Sequence, residues 1–360
     1  AFLHIFPGGV QDRSRNPNKL FPVPSEISGE FVTMEETQDS TRPAISVAIL
    51  NLGNGDFTLN ISETVDQTPS SNVIFKAFVI RNDSSNLDSQ SMNISNTGGT
   101  YIPVNVYSNL YNDSTSITFK LTEKQRSILL RWSGHTGGDG IASLLYVENN
   151  AFFDIALNYL LAVTAMPIYE IKDVIPPNII AVKLNLMNGT LIATFDEHVQ
   201  SSPPTTWVNL SRIFISNNSN ATALYSSKDV ALVGAEIYNS GDSLTITIVL
   251  TERQRVAAIR ASGTQGGDSK AAALTADNGA FFDITSNPQV TEYGLTIVET
   301  LDDLKPLITA IQIDYNDGTI IITMSEIINS GSVDLTKLRI INSPGNGLIE
   351  LGNSILTVSE

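Results

Sequence analysis

The sequence predicts an all-β chain of tandem two-sheet β-sandwiches, each with one short helix, and three observations support this fold class. Several segments recur at a constant spacing, which indicates an internal repeat. Short stretches alternate apolar and polar residues and end in turn residues, as half-buried strands do. The 360 residues include no cysteine, so disulfides and zinc–thiolate centres are excluded and each unit must bury a core of its own.

The repeat length is 129 residues. LTEKQR at residues 121–126 recurs as LTERQR at 250–255, and AFFDI at 151–155 recurs unchanged at 280–284, both 129 positions later. The Gly-Gly-Asp loop and the segment GTLIATFDE recur at the same spacing. These matches predict four parts: an N-terminal segment 1–43, a first repeat 44–175, a second repeat 176–303 and an incomplete third repeat 304–360.

The first two strands of each repeat are predicted to form a hairpin. In the second repeat, residues 179–186 (IIAVKLNL) alternate apolar and polar side chains, Asn188-Gly189 follows, and residues 190–195 continue the pattern. Asn54-Gly55 and Asp317-Gly318 occupy the same place in the other copies. Such pairs tolerate positive φ, so the sequence specifies one hairpin three times.

One helix is predicted in each complete repeat, between the later strands. In TERQRVAAIRASG, Thr251 is a suitable N-cap, Glu252 suits the positive end of the helix dipole, and Gly263 offers a C-cap. A Gly-Gly-Asp loop, a short strand, an FFD turn, an Asn-Pro turn and a final strand follow. About seven strands with turns between them fit a two-sheet sandwich.

The pattern resembles the immunoglobulin-like repeats of large bacterial and algal surface proteins. Shared features are prolines at the joints, an Asn/Asp-Gly turn, a strand ending in Ser/Thr-Glu or its variant, and a later strand that runs into a short helix. The strand endings are ISE at 61–63, FDE at 195–197 and MSE at 324–326, and the joint prolines are Pro43, Pro177 and Pro306. The resemblance implies tandem immunoglobulin-like sandwiches on an extracellular or cell-surface protein, and implies little about ligands.

Composition excludes several functions. A formal net charge of −16 and a pI near 4.5 make nucleic acid and anionic membranes poor partners, because both require a basic face. No apolar run is long enough to span a membrane. His198 lies beside Asp196 and Glu197, but no G-x-S-x-G elbow accompanies it and the other repeats have Thr64 or Ile327 there. We therefore predict no enzyme activity, no catalytic residue, no cofactor site and no metal site.

Two weaker signals concern calcium and glycans. Asp139 and Asp268 in the Gly-Gly-Asp loops, like Asp154 and Asp283 in the FFD turns, recur at the repeat period. Carboxylates that cap their own turns are the favoured interpretation, and a stabilising Ca²⁺ site is the alternative. Eight N-x-S/T sequons mark possible N-glycosylation sites. They are Asn60, Asn82, Asn93, Asn112, Asn188, Asn209, Asn217 and Asn220.

The two ends of the chain are complementary, which predicts self-assembly. FVTMEETQDSTRPAI at 31–45 aligns with GLTIVETLDDLKPLI at 294–308, near the end of the second repeat. The N-terminal segment therefore corresponds to the last strands of a sandwich, and the incomplete third repeat corresponds to the first strands. Insertion of one subunit's segment into another's open sandwich, as in donor-strand exchange of chaperone–usher pilins, would build a helical filament. The predicted donor residues are Phe2, Leu3, Ile5 and Phe6, and the predicted acceptor residues are Ile311, Ile313, Ile320, Ile322, Leu338 and Ile340.

An alternative explains the same ends without insertion. The chain would then be a window on a longer tandem array, such as the stalk of a surface glycoprotein or adhesin that binds carbohydrate or a host surface. The expected function is thus that of a structural filament subunit, pilus-like and extracellular, with a tandem-repeat stalk as the second hypothesis.

Overall fold

A computed structural model gives the arrangement of most of the chain. The residues it describes are 2–5, 30–33, 35–82, 90–97, 100–102, 113–217, 229–239, 241–341, 347–352 and 354–357. Within the N-terminal segment, strands β1 (Phe2–Ile5) and β2 (Glu30–Thr33) form an antiparallel pair, with Phe2 opposite Thr33.

The first repeat is a sandwich of two antiparallel sheets that share their last strand. The elements are β3 (Ile45–Asn51), β4 (Asp56–Val65), β5 (Phe78–Arg81), β6 (Ser91–Asn93), β7 (Thr100–Ile102), β8 (Ser114–Lys120), α1 (Glu123–Trp132), β9 (Leu144–Val147) and β10 (Val163–Ile171). One sheet has the order β7-β8-β4-β3 and the other β6-β5-β9-β10. Strand β10 runs antiparallel to β9 and then parallel to β3, so it joins the two sheets.

The second repeat has the same topology. The elements are β11 (Ile179–Asn185), β12 (Thr190–Val199), α2 (Pro204–Trp207), β13 (Ile213–Ser216), β14 (Val230–Ala231), β15 (Glu236–Ile237), β16 (Ser243–Val249), α3 (Glu252–Arg260), β17 (Ala273–Ala276) and β18 (Glu292–Thr300). The sheets have the orders β15-β16-β12-β11 and β14-β13-β17-β18, and β18 runs parallel to β11, the first strand of the repeat. This strand order is that of an immunoglobulin-like sandwich, as predicted. The single turn α2 is additional to the one predicted helix.

The third unit consists of two hairpins. They are β19 (Ile308–Asp314) with β20 (Thr319–Met324), and β21 (Arg339–Ile341) with β22 (Leu348–Glu350). Among the described residues neither hairpin pairs with another strand. Short 3-10 helices recur in all three units, at Ser70–Asn72, Phe75–Ala77, Ile94–Thr97, Leu210–Arg212, Ser330–Ser332 and Leu335–Lys337.

The repeated hairpin turn is confirmed. Gly55, Gly189 and Gly318 all adopt positive φ, at 75°, 70° and 74°, a conformation that costs glycine little because it has no Cβ. The preceding polar residue caps each turn from its side chain. Asn188 Oδ1, for instance, accepts a hydrogen bond from the backbone N–H of Thr190 at 3.1 Å.

The predicted N-cap of the helix is confirmed, and the predicted C-cap is wrong. Thr251 accepts from the N–H of Gln254, whose side chain bonds back to Thr251, so the two form a capping box. The helix ends at Arg260 with Ala261 as C-cap rather than Gly263, because the Ala261 N–H already bonds carbonyls of the last turn. In the part of the chain described, no helix is long and apolar enough to cross a membrane.

Each complete repeat has its own hydrophobic core. In the first, Phe57, Phe78 and Phe119 are fully buried and pack together between the sheets. Of the described residues, those in the core of the second repeat all belong to that repeat. The described core of the first repeat includes one residue from outside, Ile284, which comes from the FFD turn of the second repeat.

Candidate functional site

Each complete repeat contains, between its later strands, a helix whose fourth residue is a buried arginine. The capping box of α1 places Gln125 against the preceding Thr122, with Gln125 Nε2 donating to the carbonyl of Ile94 at 2.8 Å. This anchors the first turn of the helix to the sandwich. Arg126, the next residue, is 4% exposed and lies at the end of the repeat, where the second repeat begins.

At this first joint, Arg126 connects the two repeats. Its Nη1 donates to the carbonyl of Leu52 and to Asp173 Oδ2, both at 2.8 Å, and its Nη2 donates to Glu197 Oε2 at 2.5 Å. Glu123, three residues earlier on the helix, accepts from Arg126 Nε at 2.6 Å. Charge-assisted bonds of this kind are the strong ones, and a guanidinium can make several at once in one plane.

The second joint repeats this arrangement one period later. Arg255 donates to the carbonyl of Leu186 and to Glu326 Oε2, both at 2.9 Å, and it also binds Asp302. Glu252 accepts from Arg255 Nε at 2.7 Å. The second repeat is therefore tied to the third unit by the same atoms that tie the first repeat to the second.

A further bond at each joint uses backbone rather than a side chain. Glu123 Oε1 accepts from the N–H of His198 at 2.9 Å, and Glu252 Oε1 accepts from the N–H of Ile327 at 2.9 Å. Because the donor is a main-chain group, the position tolerates different side chains. His198 adds only a contact of its Nδ1 with Glu123 at 3.2 Å.

The first joint holds more negative than positive charge. Burial opposes ionisation of Glu123, but hydrogen bonds from His198 and Arg126 outweigh it and lower the pKa of Glu123 to about 2. Burial raises the pKa of Glu197 to about 8 despite the attraction of Arg126, and the neighbouring Asp173 and Asp283 add to the rise. A single arginine thus leaves one carboxyl of the cluster disposed to keep its proton.

An apolar contact lies beside the ion pairs. Ile284 is 1% exposed and belongs to the core of the first repeat. Its backbone carbonyl lies so close to Gly137 that a Cβ there would stand 2.2 Å away. Gly137, in the Gly-Gly-Asp loop, is therefore required for close approach of the two backbones.

A third set of equivalent carboxylates occurs at the start of the first repeat. Asp39, Glu63 and Asp154 present oxygens within 4.8 Å of one another, as do Asp173, Glu197 and Asp283. Glu63 Oε1 is buried and has no hydrogen-bond partner among the described residues. Burial, followed by repulsion from Asp154 and Asp39, raises the pKa of Glu63. Of the described residues, these two groups of three acids are the ones that could hold a metal ion.

The recurring aspartates cap their turns, as the favoured interpretation predicts. Asp139 Oδ1 accepts from the N–H of Ile141 at 3.0 Å, and Asp268 Oδ1 accepts from the N–H of Lys270 at 3.0 Å. Asp154 and Asp283 accept from the N–H four residues later, at 2.8 and 2.7 Å.

Most of the predicted assembly residues lie on strands of the N-terminal pair or of the third unit. Ile311 and Ile313 are exposed on β19, while Ile320 and Ile322 on β20, and Ile340 on β21, are half-buried. Leu338, also half-buried, immediately precedes β21. Phe2, Leu3 and Ile5 lie on β1, and Phe6 lies outside the described residues.

The sequons have different surroundings. Asn60, Asn188, Asn209 and Asn217 are exposed, and Asn93 is half-buried. Asn82 is 7% exposed, and its Nδ2, the atom that would carry a glycan, donates to Asp139 Oδ2 at 2.7 Å. Asn112 and Asn220 lie outside the described residues.

The arginine joints were not predicted from the sequence, although their residues lie in the segments that define the repeat. LTEKQR and LTERQR served as markers of the repeat, as did the strand endings that carry Glu197 and Glu326. Arg126 and Glu197 both recur 129 residues later, as Arg255 and Glu326, and this shared period could have suggested an ion pair between them across each joint. Nothing in the local pattern distinguishes that pairing from two solvated charges, because the contact is between residues 71 positions apart.

Comparisons with known proteins give a remote structural similarity. No protein-family model and no curated protein matches the sequence. Among solved structures, two chains described as marsupial T cell receptor are similar at 11% identity. One covers 76% of this chain and 77% of that chain with a TM-score of 0.17, and the other covers 77% and 78% with a TM-score of 0.16. These TM-scores are too low to support a fold assignment. The immunoglobulin-like assignment rests instead on the strand order of the two complete repeats.

Proposed function

We propose that the protein is a structural subunit of an extracellular filament, in which the N-terminal segment of one subunit inserts into the open third unit of another. The observation that carries this proposal is the exposed apolar face of the two C-terminal hairpins. Ile311 is 62% exposed, whereas Val182, its equivalent one repeat earlier, is 2% exposed in the core. The same hydrophobic side chains that a complete repeat buries face solvent here.

The whole acceptor set is more exposed than its equivalents one repeat earlier: Ile311 and Ile313 are exposed, and Ile320, Ile322, Leu338 and Ile340 are half-buried. Its equivalents in the second repeat are Val182, Leu184, Leu191, Ala193, Ile213 and Ile215, each no more than 2% exposed. Burial of one such side chain contributes about 1.5–3 kcal/mol. Unpaired edges next to apolar faces favour the addition of a strand from elsewhere.

The register of the N-terminal strands supports their role as donors. In the second repeat the last two strands pair Ala273 with Thr296 and Leu274 with Leu295. Strands β1 and β2 pair in the same way: Phe2 lies opposite Thr33 and Leu3 opposite Val32. The N-terminal segment therefore has the strand pairing of the last hairpin of an immunoglobulin-like sandwich, and the third unit has the first and middle hairpins.

A mixing experiment with two variants of the full chain tests the proposal. Leu3→Asp should disable the donor and leave the acceptor intact, and Ile322→Asp should do the opposite. Each variant alone should remain monomeric, because burying an unpaired carboxylate is costly. Mixed together, they should form a one-to-one complex and nothing longer, measured by sedimentation velocity.

The matched control is Ile180→Asp, at a position that is 64% exposed on the complete second repeat, and it should polymerise like the unmodified chain. Filaments from either disabled variant alone, or a mixture without a one-to-one complex, would refute strand insertion. The intact mass of native material tests the tandem-array alternative, which requires a mass well above 38.9 kDa.

A further inference from the structure

The surface that opens the first repeat is a third copy of the surface used at the two arginine joints. This entry surface consists of Asp39, Glu63, Thr64, Asp154 and Ile155, and these residues line a depression of about 380 Å³. Asp39 and Glu63 are equivalent to the pairs that bind Arg126 and Arg255: they precede the first pair by 134 residues, and that pair precedes the second by 129. Those pairs are Asp173 with Glu197, and Asp302 with Glu326.

The polar half of the entry surface lacks the partner that both other copies have. At the first and second joints, Glu197 and Glu326 each accept from an arginine Nη2, at 2.5 and 2.9 Å. Glu63, by contrast, has a buried Oε1 that accepts no hydrogen bond from any residue in the described part of the chain. Leaving a buried carboxylate oxygen unpaired costs free energy that a donor would recover.

The apolar half shows the same difference, independently of charge. Ile284 of the second repeat is 1% exposed because it enters the core of the preceding repeat. Ile155, its equivalent in the first repeat, is 57% exposed. The neighbouring Ala156 is exposed, while its equivalent Thr285 is buried. Both halves of the surface therefore match a joint whose other side is formed by a helix and a Gly-Gly-Asp loop.

We propose that the entry surface binds the end of another immunoglobulin-like repeat, with an arginine from a Thr-Glu-X-Gln-Arg helix start placed between Asp39 and Glu63 and a Gly-Gly loop covering Ile155. Thr64 would donate its N–H to the glutamate of that helix, as His198 and Ile327 do. The chain thus carries an end-to-end docking site for a further repeat of its own type. This inference does not depend on strand insertion.

A fusion protein supplies the missing partner in a defined position. Residues 176–301 are placed directly before residue 39, so that α3 and its Arg255 precede the entry surface at the natural spacing. The added repeat can be expected to fold, because the described residues in the core of the second repeat all belong to that repeat. The chain has no cysteine, so Ala156→Cys introduces a unique thiol whose labelling rate reports exposure of the surface.

We expect labelling to be at least tenfold slower in the fusion than in the unextended chain. Arg255→Gln in the added repeat, or Glu63→Gln, should restore most of the rate. Tyr169→Cys, at a position that is 66% exposed on the first repeat away from the entry surface, is the matched control and should label equally fast in both proteins. Equal rates at position 156 in the two proteins would overturn the proposal.

Two further results would also overturn it. Protection in the fusion that survives Arg255→Gln would mean that the arginine is not the ligand. Slow labelling of the unextended chain in millimolar Ca²⁺, abolished by Glu63→Gln, would identify the three carboxylates as a cation site instead.

Discussion

At the scale of single residues, the joints depend on one guanidinium in a nearly dry environment. Arg126 is matched by Glu123, Asp173 and Glu197, of which Asp173 and Glu197 are buried. Taking such charges out of water is costly, and the bonds repay that cost only while every partner is present. The arginine therefore acts less as an attractive charge than as the group without which the surrounding carboxylates cannot stay buried.

Replacing this arginine should be far more damaging than replacing another on the same helix. Arg126→Met leaves Asp173 and Glu197 without their cation and should lower the free energy of unfolding by ~3–5 kcal/mol. Arg131 is 40% exposed, so Arg131→Met removes partly solvated bonds to Asp242, Gln200 and the Gly137 carbonyl and should cost about 1 kcal/mol or less. Urea denaturation of the two variants measures the difference, and equal losses would contradict the role given to Arg126.

The same cluster should make stability depend on pH. Because burial raises the pKa of Glu197 from 4.5 to about 8, the folded state binds this proton more tightly than the unfolded state. The stability that this provides is present below about pH 4.5 and is lost as pH rises through about 8, by at most about 1.4 kcal/mol per pH unit. Thermal denaturation across this range should show the decline.

Glu197→Gln removes the titrating group, so its stability should vary less between these pH values. The pKa of Asp283 is raised by burial too, and this residue should retain a smaller pH dependence. An unchanged pH profile in the glutamine variant would contradict the assignment.

At the scale of elements, the Gly-Gly-Asp loop sets how closely two repeats approach. Gly137 and Gly140 both adopt positive φ, at 93° and 88°, so an alanine is strained at either position by ~1–2 kcal/mol. Only at Gly137 would the added Cβ also meet a backbone, that of Ile284. A comparison of Gly137 with Gly140 thus separates backbone strain from contact between repeats.

Gly137→Ala should therefore open the first joint, whereas Gly140→Ala should not. We expect the first variant to expose Ile284 and to raise amide hydrogen exchange in the FFD turn of the second repeat. The second variant should lose only the strain energy, with exchange at that turn unchanged. Similar exchange in both would show that the close approach at Gly137 is not what holds the joint.

Elements were predictable from sequence where the signal is local. The Asn-Gly hairpin, the Thr251 N-cap and the strand alternation depend on neighbouring residues, and the structure confirms them. The C-terminal end of the helix was not predictable, because the Ala261 N–H ends it through backbone hydrogen bonds that any residue except proline can make. The arginine joints were not either, since they join residues from different repeats whose proximity only the folded chain creates.

At the scale of the whole molecule, the same interface is used twice, and equivalent residues form the entry surface at the start of the first repeat. A chain built this way adds units along one direction, each complete repeat being fixed to the next unit by an arginine rather than by a disulfide. At the first joint Ile284 adds an apolar contact. The open hairpins of the third unit and the entry surface of the first are distinct sites with distinct chemistry, one apolar and strand-like, the other ionic. The mixing and fusion experiments address them separately.

The position of Ile284 inside the core of the first repeat has a consequence under mechanical load. The second repeat contributes Ile284 to the core of the first, so pulling the two repeats apart would leave a cavity in that core. Tension on the chain is therefore shared across the joint. Stretching should then meet its first resistance at the joints, before any sandwich unravels.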